Sequence, residues 1–207
     1  FQSSSTVIIT LGTSWVYHHK QLGQVVNNCH KQPARLFERK LLPHTLAAQE
    51  LIPRLRKVAA SNRTVLLTVS PVRHLRDDMH QNQSSKAHLH LLVDQLLAEI
   101  PGAKYFPAYE ILMDDLRDYR FYAEDMAHPN RLALDYVWQK FCRFAFDETA
   151  QTQLDRFQNL HKLFAHRPVA DSGIAQHQQL CQEELKKLQQ HFRTWFGCYI
   201  IRIHIMG

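Results

Sequence analysis

Hydrophobic positions fall into two alternating rhythms along the first half of the chain. Residues 6–11 (TVIITL) form a short β-branched run that stops at Gly12, the pattern of a buried strand. Residues 44–60 place Leu46, Leu51, Ile52, Leu55 and Val58 at helical spacing. Residues 64–69 (TVLLTV) repeat the strand pattern and stop at Ser70-Pro71. Residues 83–99 put Leu89, Leu92, Val93, Leu96 and Leu97 on one helical face, and residues 103–107 (AKYFP) read as a third strand. Helical periodicity returns at 130–146, 150–165 and 174–192, and the stretch 149–192 reads as two amphipathic helices joined around His166-Arg167-Pro168 and packed on the sheet domain.

Strand–helix–strand–helix–strand predicts an α/β domain with a parallel sheet and right-handed crossovers. Such sheets carry their sites where the strands end at their carboxyl side. Three segments meet that condition: Gly12-Thr13-Ser14-Trp15, Ser70-Pro71-Val72-Arg73-His74 and Tyr109-Glu110. The connections 12–43 and 70–82 are long, and connections of that length are commonly functional or disordered. Their Trp, Val, Leu and Phe residues argue against disorder.

Composition narrows the picture. The 207 residues are 45% apolar, enough for one α/β core. No apolar run reaches the roughly 18–20 residues of a membrane span. Four scattered cysteines show neither a CxxC pair nor zinc spacing, which suits reduced thiols and a cytoplasmic protein. The formal charge of +6 is spread along the chain with acids between the bases, so nucleic-acid binding is not expected. Fourteen histidines include no HExxH or comparable ligand set, so neither a metal nor another cofactor is expected.

The strongest chemical signal is Asp125-Met126-Ala127-His128-Pro129, ahead of the helix at 130–146. An Asp three residues before a His, in a turn, can bring its carboxylate against the imidazole, fix the tautomer and leave the other nitrogen as a general base. The plainer alternative is a helix-capping His128. Gly12, at a strand end, allows close backbone approach to a ligand or simply makes a turn. Asn28 offers an amide to an oxyanion or satisfies loop backbone. Ser14 and Ser70 sit at strand ends, where hydroxyls commonly bond turn backbone, and neither lies in a G-x-S-x-G elbow. Arg73, His74, Arg76 and Lys86 make the second strand-end loop basic. They suggest either an anion site or solvated charge.

Taken in order, T-L-G-T-S-W-V-Y at 10–17, N-C-H-K at 28–31, S-P-V-R-H at 70–74, S-K-A at 85–87, Y-F-P-A-Y-E at 105–110, D-D-L-R-D-Y-R-F-Y at 114–122 and D-M-A-H-P at 125–129 resemble successive blocks of the GSCFA family. H-R-P at 166–168 is similar to that family's C-terminal part. The family in turn resembles SGNH hydrolases. The resemblance implies a flavodoxin-like three-layer α/β/α fold and a serine ester hydrolase acting on a small-molecule or glycan ester. His128 would be the base and Asp125 its orienter. Gly12, Asn28, Ser14, Ser70 and His74 would line the oxyanion and substrate side. The string G-S-C-F-A, where the resemblance puts the nucleophile, does not occur in these 207 residues. The expectation is therefore a partial domain at 1–170 lacking its first βα unit, a helical extension at 171–207, and a chain that alone is inactive. The alternative is a binding module that keeps the fold without the nucleophile.

Overall fold

The computed structural model describes residues 4–26, 32–165, 177 and 179–186. These fall into two compact units that divide after Trp138.

The first unit is an α/β fold of flavodoxin-like kind. Strands β1 (Thr6–Leu11), β5 (Thr64–Val69) and β6 (Lys104–Phe106) form a parallel sheet in the order β1-β5-β6. Helices α1 (His44–Ala60) and α2 (Met79–Glu99) supply the crossovers and pack against each other. The strand residues that alternate toward these helices are paired in register: Val7 with Val65, Ile9 with Leu67, Leu11 with Val69. All six are buried, and they share one core with Ala48 and Leu55 of α1 and Leu89, Leu92, Val93 and Leu96 of α2. Each such aliphatic side chain contributes about 1.5–3 kcal/mol by leaving water.

The connection 12–43 is more ordered than its polar content suggests. Strands β2 (Trp15–His19), β3 (Gln24–Val26) and β4 (Phe37–Leu41) make a second, antiparallel sheet in the order β3-β2-β4. Residues 27–31 between β3 and β4, including the candidate Asn28, lie outside the described residues.

Helix α2 begins at Met79, ahead of the expected residue 83. Asp78 and Gln81 form a capping box: the Asp78 carboxylate accepts from Gln81 N at 2.7 Å, and the Gln81 side chain accepts from Asp78 N. After β6, a single helical turn α3 (Ala108–Glu110) continues as a π-helical turn at Ile111–Asp115, which buries Ile111 and Leu112. Helix α4 (Arg131–Ala145) follows, with Asn130 Oδ1 accepting from Ala133 N at 3.1 Å.

In the second unit, α5 (Glu148–Ala165) is capped by Asp147, whose carboxylate accepts from Ala150 N at 2.8 Å. Residues 179–186 are helical; the rest of the expected helix at 174–192, the segment 166–168 and the terminal stretch 195–207 lie outside the described residues, apart from residue 177, also helical. No described helix is long and apolar enough to cross a membrane. Cys142 and Cys181 are free thiols.

Candidate active site

The DMAH segment is the tip of a small closed loop. Tyr122 and Pro129 form a β-bridge, Ala123 N donates to His128 O at 2.8 Å, and Met126 N donates to Ala123 O at 3.0 Å. Closing so short a loop forces Met126 into the left-handed region, with φ of 58°. A side-chain-bearing residue held there costs roughly 1–3 kcal/mol. Asp125 offsets it. One oxygen, Oδ1, accepts from both Ala127 N and His128 N at 3.0 Å, and the other, Oδ2, lies 2.6 Å from His128 Nδ1. Those backbone N–H groups, His128 first and Ala127 second, hold the carboxyl down at about 2, so it is ionised at neutral pH. With Nδ1 turned to a carboxylate, His128 presents Nε2, which no described group hydrogen-bonds. The His128 side chain is 61% exposed.

This loop joins the strand ends through Arg73. Its backbone N donates to Ala127 O at 3.3 Å, and its guanidinium stacks 4.8 Å over Tyr122 and reaches the Tyr122 hydroxyl at 3.4 Å. Ala127, fully buried, anchors the segment from below. Arg73 is the fourth residue of the loop after β5, so the catalytic candidates His128 and Asp125 stand beside the carboxyl end of the parallel sheet.

The other strand-end residues are bound up in a buried polar cluster. Lys86, on the stripe of α2 that also carries Leu89 and Val93, donates to Gly12 O at 2.7 Å and Ser70 O at 2.6 Å. It ties the ends of β1 and β5 together. Burial holds its ammonium down at about 8. The hydroxyl of Ser85, one residue earlier, accepts from Ser14 N at 2.8 Å and lies 3.0 Å from Thr13 Oγ1. Ser14 donates its own hydroxyl to Ser85 at 3.2 Å and is buried. It secures the turn onto α2. Ser70 is half-buried, and its Oγ accepts from Val72 N at 3.3 Å.

Gly12 needs no positive φ, and a Cβ there would sit 3.8 Å from His74 Nε2 in ordinary contact. His74 is fixed through its backbone by Asn82, whose Oδ1 accepts from His74 N at 3.1 Å and whose Nδ2 donates to His74 O at 3.0 Å. Burial, then the nearby Lys86 charge, lowers the His74 pKa and favours the neutral ring. Asp77, with its side chain fully buried, pairs with Arg39 of β4. Arg39 lies 4.6 Å over Trp15, and Arg76 bonds the Tyr17 hydroxyl. The antiparallel sheet is thus pinned to the loop after β5.

The structure therefore brings Gly12, Ser70 and His74 together at the ends of β1 and β5, with Ser14 on the turn beyond, and sets the Asp125–His128 loop against the same 70–74 segment. Sequence reading did not single out Asp77 or Arg39. Ser85 and Lys86 entered only through the S-K-A block and, for Lys86, as a basic residue, although a lysine on the apolar stripe of a helix is a signal of an interior charge. Among the described residues no three His, Cys, Asp or Glu side chains converge as metal ligands.

A model of the GSCFA family matches residues 1–141. This chain belongs to the GSCFA family. The match covers the whole parallel sheet, the antiparallel sheet and the Asp125–His128 loop of this GSCFA protein, and ends inside α4. No curated protein and no solved structure matches the chain.

Proposed function

We propose that this GSCFA protein serves SGNH-type ester hydrolysis of a small acyl or acetyl ester, including glycan-linked ones. The observation that carries the reading is the Asp125–His128 pair. The carboxylate lies 2.6 Å from Nδ1, and the opposite nitrogen is unengaged beside a parallel-sheet edge. In the reaction, His128 Nε2 takes the proton of a serine hydroxyl as its oxygen attacks the ester carbonyl. The tetrahedral oxyanion collapses, His128 returns the proton to the departing alcohol, and water releases the acyl group by the same steps. Asp125 keeps the proton-bearing nitrogen on its own side and stabilises the imidazolium.

The nucleophile in this reading is the serine of the G-S-C-F-A string rather than Ser14 or Ser70. Ser14 is buried and committed to Ser85, and Ser70 accepts from its own turn. Gly12, His74 and Asn28 remain the oxyanion- and substrate-side groups of the proposal. A second reading, a binding module with the fold but no reaction, draws on one fact: no serine hydroxyl among the described residues hydrogen-bonds His128.

The test compares p-nitrophenyl acetate hydrolysis by this chain and by the longest reading frame that contains it. The expected result is turnover only in the longer product, abolished by His128→Ala. Equal turnover in both would move the nucleophile into these 207 residues and make Ser70→Ala the next variant. No turnover of any ester in a broad panel would favour the binding module.

A further inference from the structure

A cleft of about 330 Å³ opens beside the Asp125–His128 loop. Its walls come from the loop after β5, the start of α2, Tyr109 of α3, Met113 of the π-helical turn, and Met126, two residues before His128. Leu75, Met79, Met113 and Met126 form its apolar lining, and Leu75 and Met79 are 72% and 81% exposed. Arg73, His74 and Lys86 line it too.

The charges lining the cleft do not balance. Asp77 is the one carboxylate among the described lining residues, and it pairs with Arg39 of β4. Lys86 spends two donors on the carbonyls of Gly12 and Ser70, which are dipoles rather than charges, and it makes no ion pair with a described residue. Arg73 bonds only neutral oxygens, those of Met126 and Tyr122, and its plane is fixed by stacking on Tyr122. Two cations, one of them buried, therefore line a cleft whose one acid is shared: Asp77 pairs with Arg39 and also acts on Lys86 through space. One carboxylate among three cations leaves positive charge in excess, and a bound oxyanion supplies the counter-charge. A guanidinium held planar against an aromatic ring is preorganised for two parallel hydrogen bonds to such a group.

We infer that the cleft holds an oxyanion borne by the ligand, a carboxylate or a phosphate, between Arg73 and Lys86, with an aliphatic segment of the same molecule against Leu75, Met79, Met113 and Met126. As an account of the substrate this rests on the hydrolase reading: the ester is anionic, with its charged end seated in the cleft and its carbonyl toward His128. As an account of binding it stands on the cleft alone.

The test separates the two. This chain is titrated calorimetrically with hexanoate, hexyl phosphate and hexanol. One or both anions should bind at least tenfold more tightly than hexanol, and added salt should weaken the anions while leaving hexanol unaffected. Preference between hexanoate and hexyl phosphate identifies which oxyanion the site takes. Arg73→Gln should weaken anion binding about tenfold or more, the worth of a charge-assisted pair, without changing hexanol. Equal binding of hexanol, or anion binding indifferent to both salt and Arg73→Gln, overturns the inference. The salt series uses unaltered protein, so it decides the matter even where the variant folds poorly. In an ester-hydrolysing preparation, mono-p-nitrophenyl glutarate should exceed p-nitrophenyl butyrate in kcat/KM, and Arg73→Gln should erase the difference. Anion binding with no hydrolysis of any ester removes the proposed function and keeps the cleft. Hydrolysis with no anionic preference and no anion binding does the reverse.

Discussion

The Asp125–His128 loop and the Lys86–Ser85–Asp77 cluster are both polar, both sit at the carboxyl end of the sheet, and are built on opposite plans. The first is made from residues three apart, is open to water, and satisfies itself within one turn. The second draws partners from β4, the turn after β1, the loop after β5 and α2, and is buried. Local, exposed polar groups contribute little to the fold and are free for chemistry. Distant, buried ones cannot be removed singly without stranding a partner. The contrast predicts that substitutions in the two regions fail in different assays.

The largest effect is expected at His128. His128→Ala in the ester-hydrolysing form should cost about 10³-fold or more in kcat, as loss of a triad member does. The thermal melt should stay unchanged. A large drop in melting temperature would place the pair with the structural cluster and break the comparison.

Arg39→Ala should behave the other way. It leaves Asp77 buried without its cation, which costs about 3 kcal/mol in a denaturant titration. A stability change indistinguishable from zero would mean that water reaches Asp77 and the cluster is not closed. Ser85→Ala comes next, at about 1–3 kcal/mol, because Ser14 N and Thr13 lose a buried partner together.

The last effect is a slope rather than a step. Folding lowers the Lys86 pKa from 10.5 to about 8. Between those values the unfolded chain holds the proton and the folded chain does not, so stability rises with pH across that window. Below pH 8 both states are protonated and the slope from Lys86 vanishes. Lys86→Met should lose the rise, measured as the change in urea midpoint between pH 8 and pH 10. An identical rise in the variant would assign it to other groups.

The same contrast decided what the sequence disclosed. Strands β1 and β5 follow the expected bounds because β-branched runs end at unambiguous stops, Gly12 and Ser70-Pro71, and helix α1 does so because its apolar residues keep helical spacing throughout. The antiparallel sheet stayed hidden in the 12–43 connection. W-V-Y-H-H and F-E-R-K-L bury only Val16 and His19, so neither carries a clean apolar alternation. The early start of α2 was written in Asp78 and Gln81, but its first turn, Met79 and His80, is exposed and offers no apolar period. The Asp125–His128 pair was legible because its geometry is contained in four consecutive residues. Lys86, Asp77 and Arg39 were not, because their roles exist only once the chain has brought β4, the loop after β5 and α2 together.

Strand β1 also has a colloidal consequence. It pairs with β5 along one side, and among the described residues no strand pairs along the other. Its six residues, TVIITL, hold no charge and no proline. Such a hexapeptide is a template for intermolecular strand addition, and natural edges are normally guarded by a lysine, a proline or a bulge. Concentrated solutions should therefore form β-rich aggregates nucleated at β1. Thr10→Lys, a gatekeeper at a half-buried position of that edge, should raise the concentration at which thioflavin fluorescence appears.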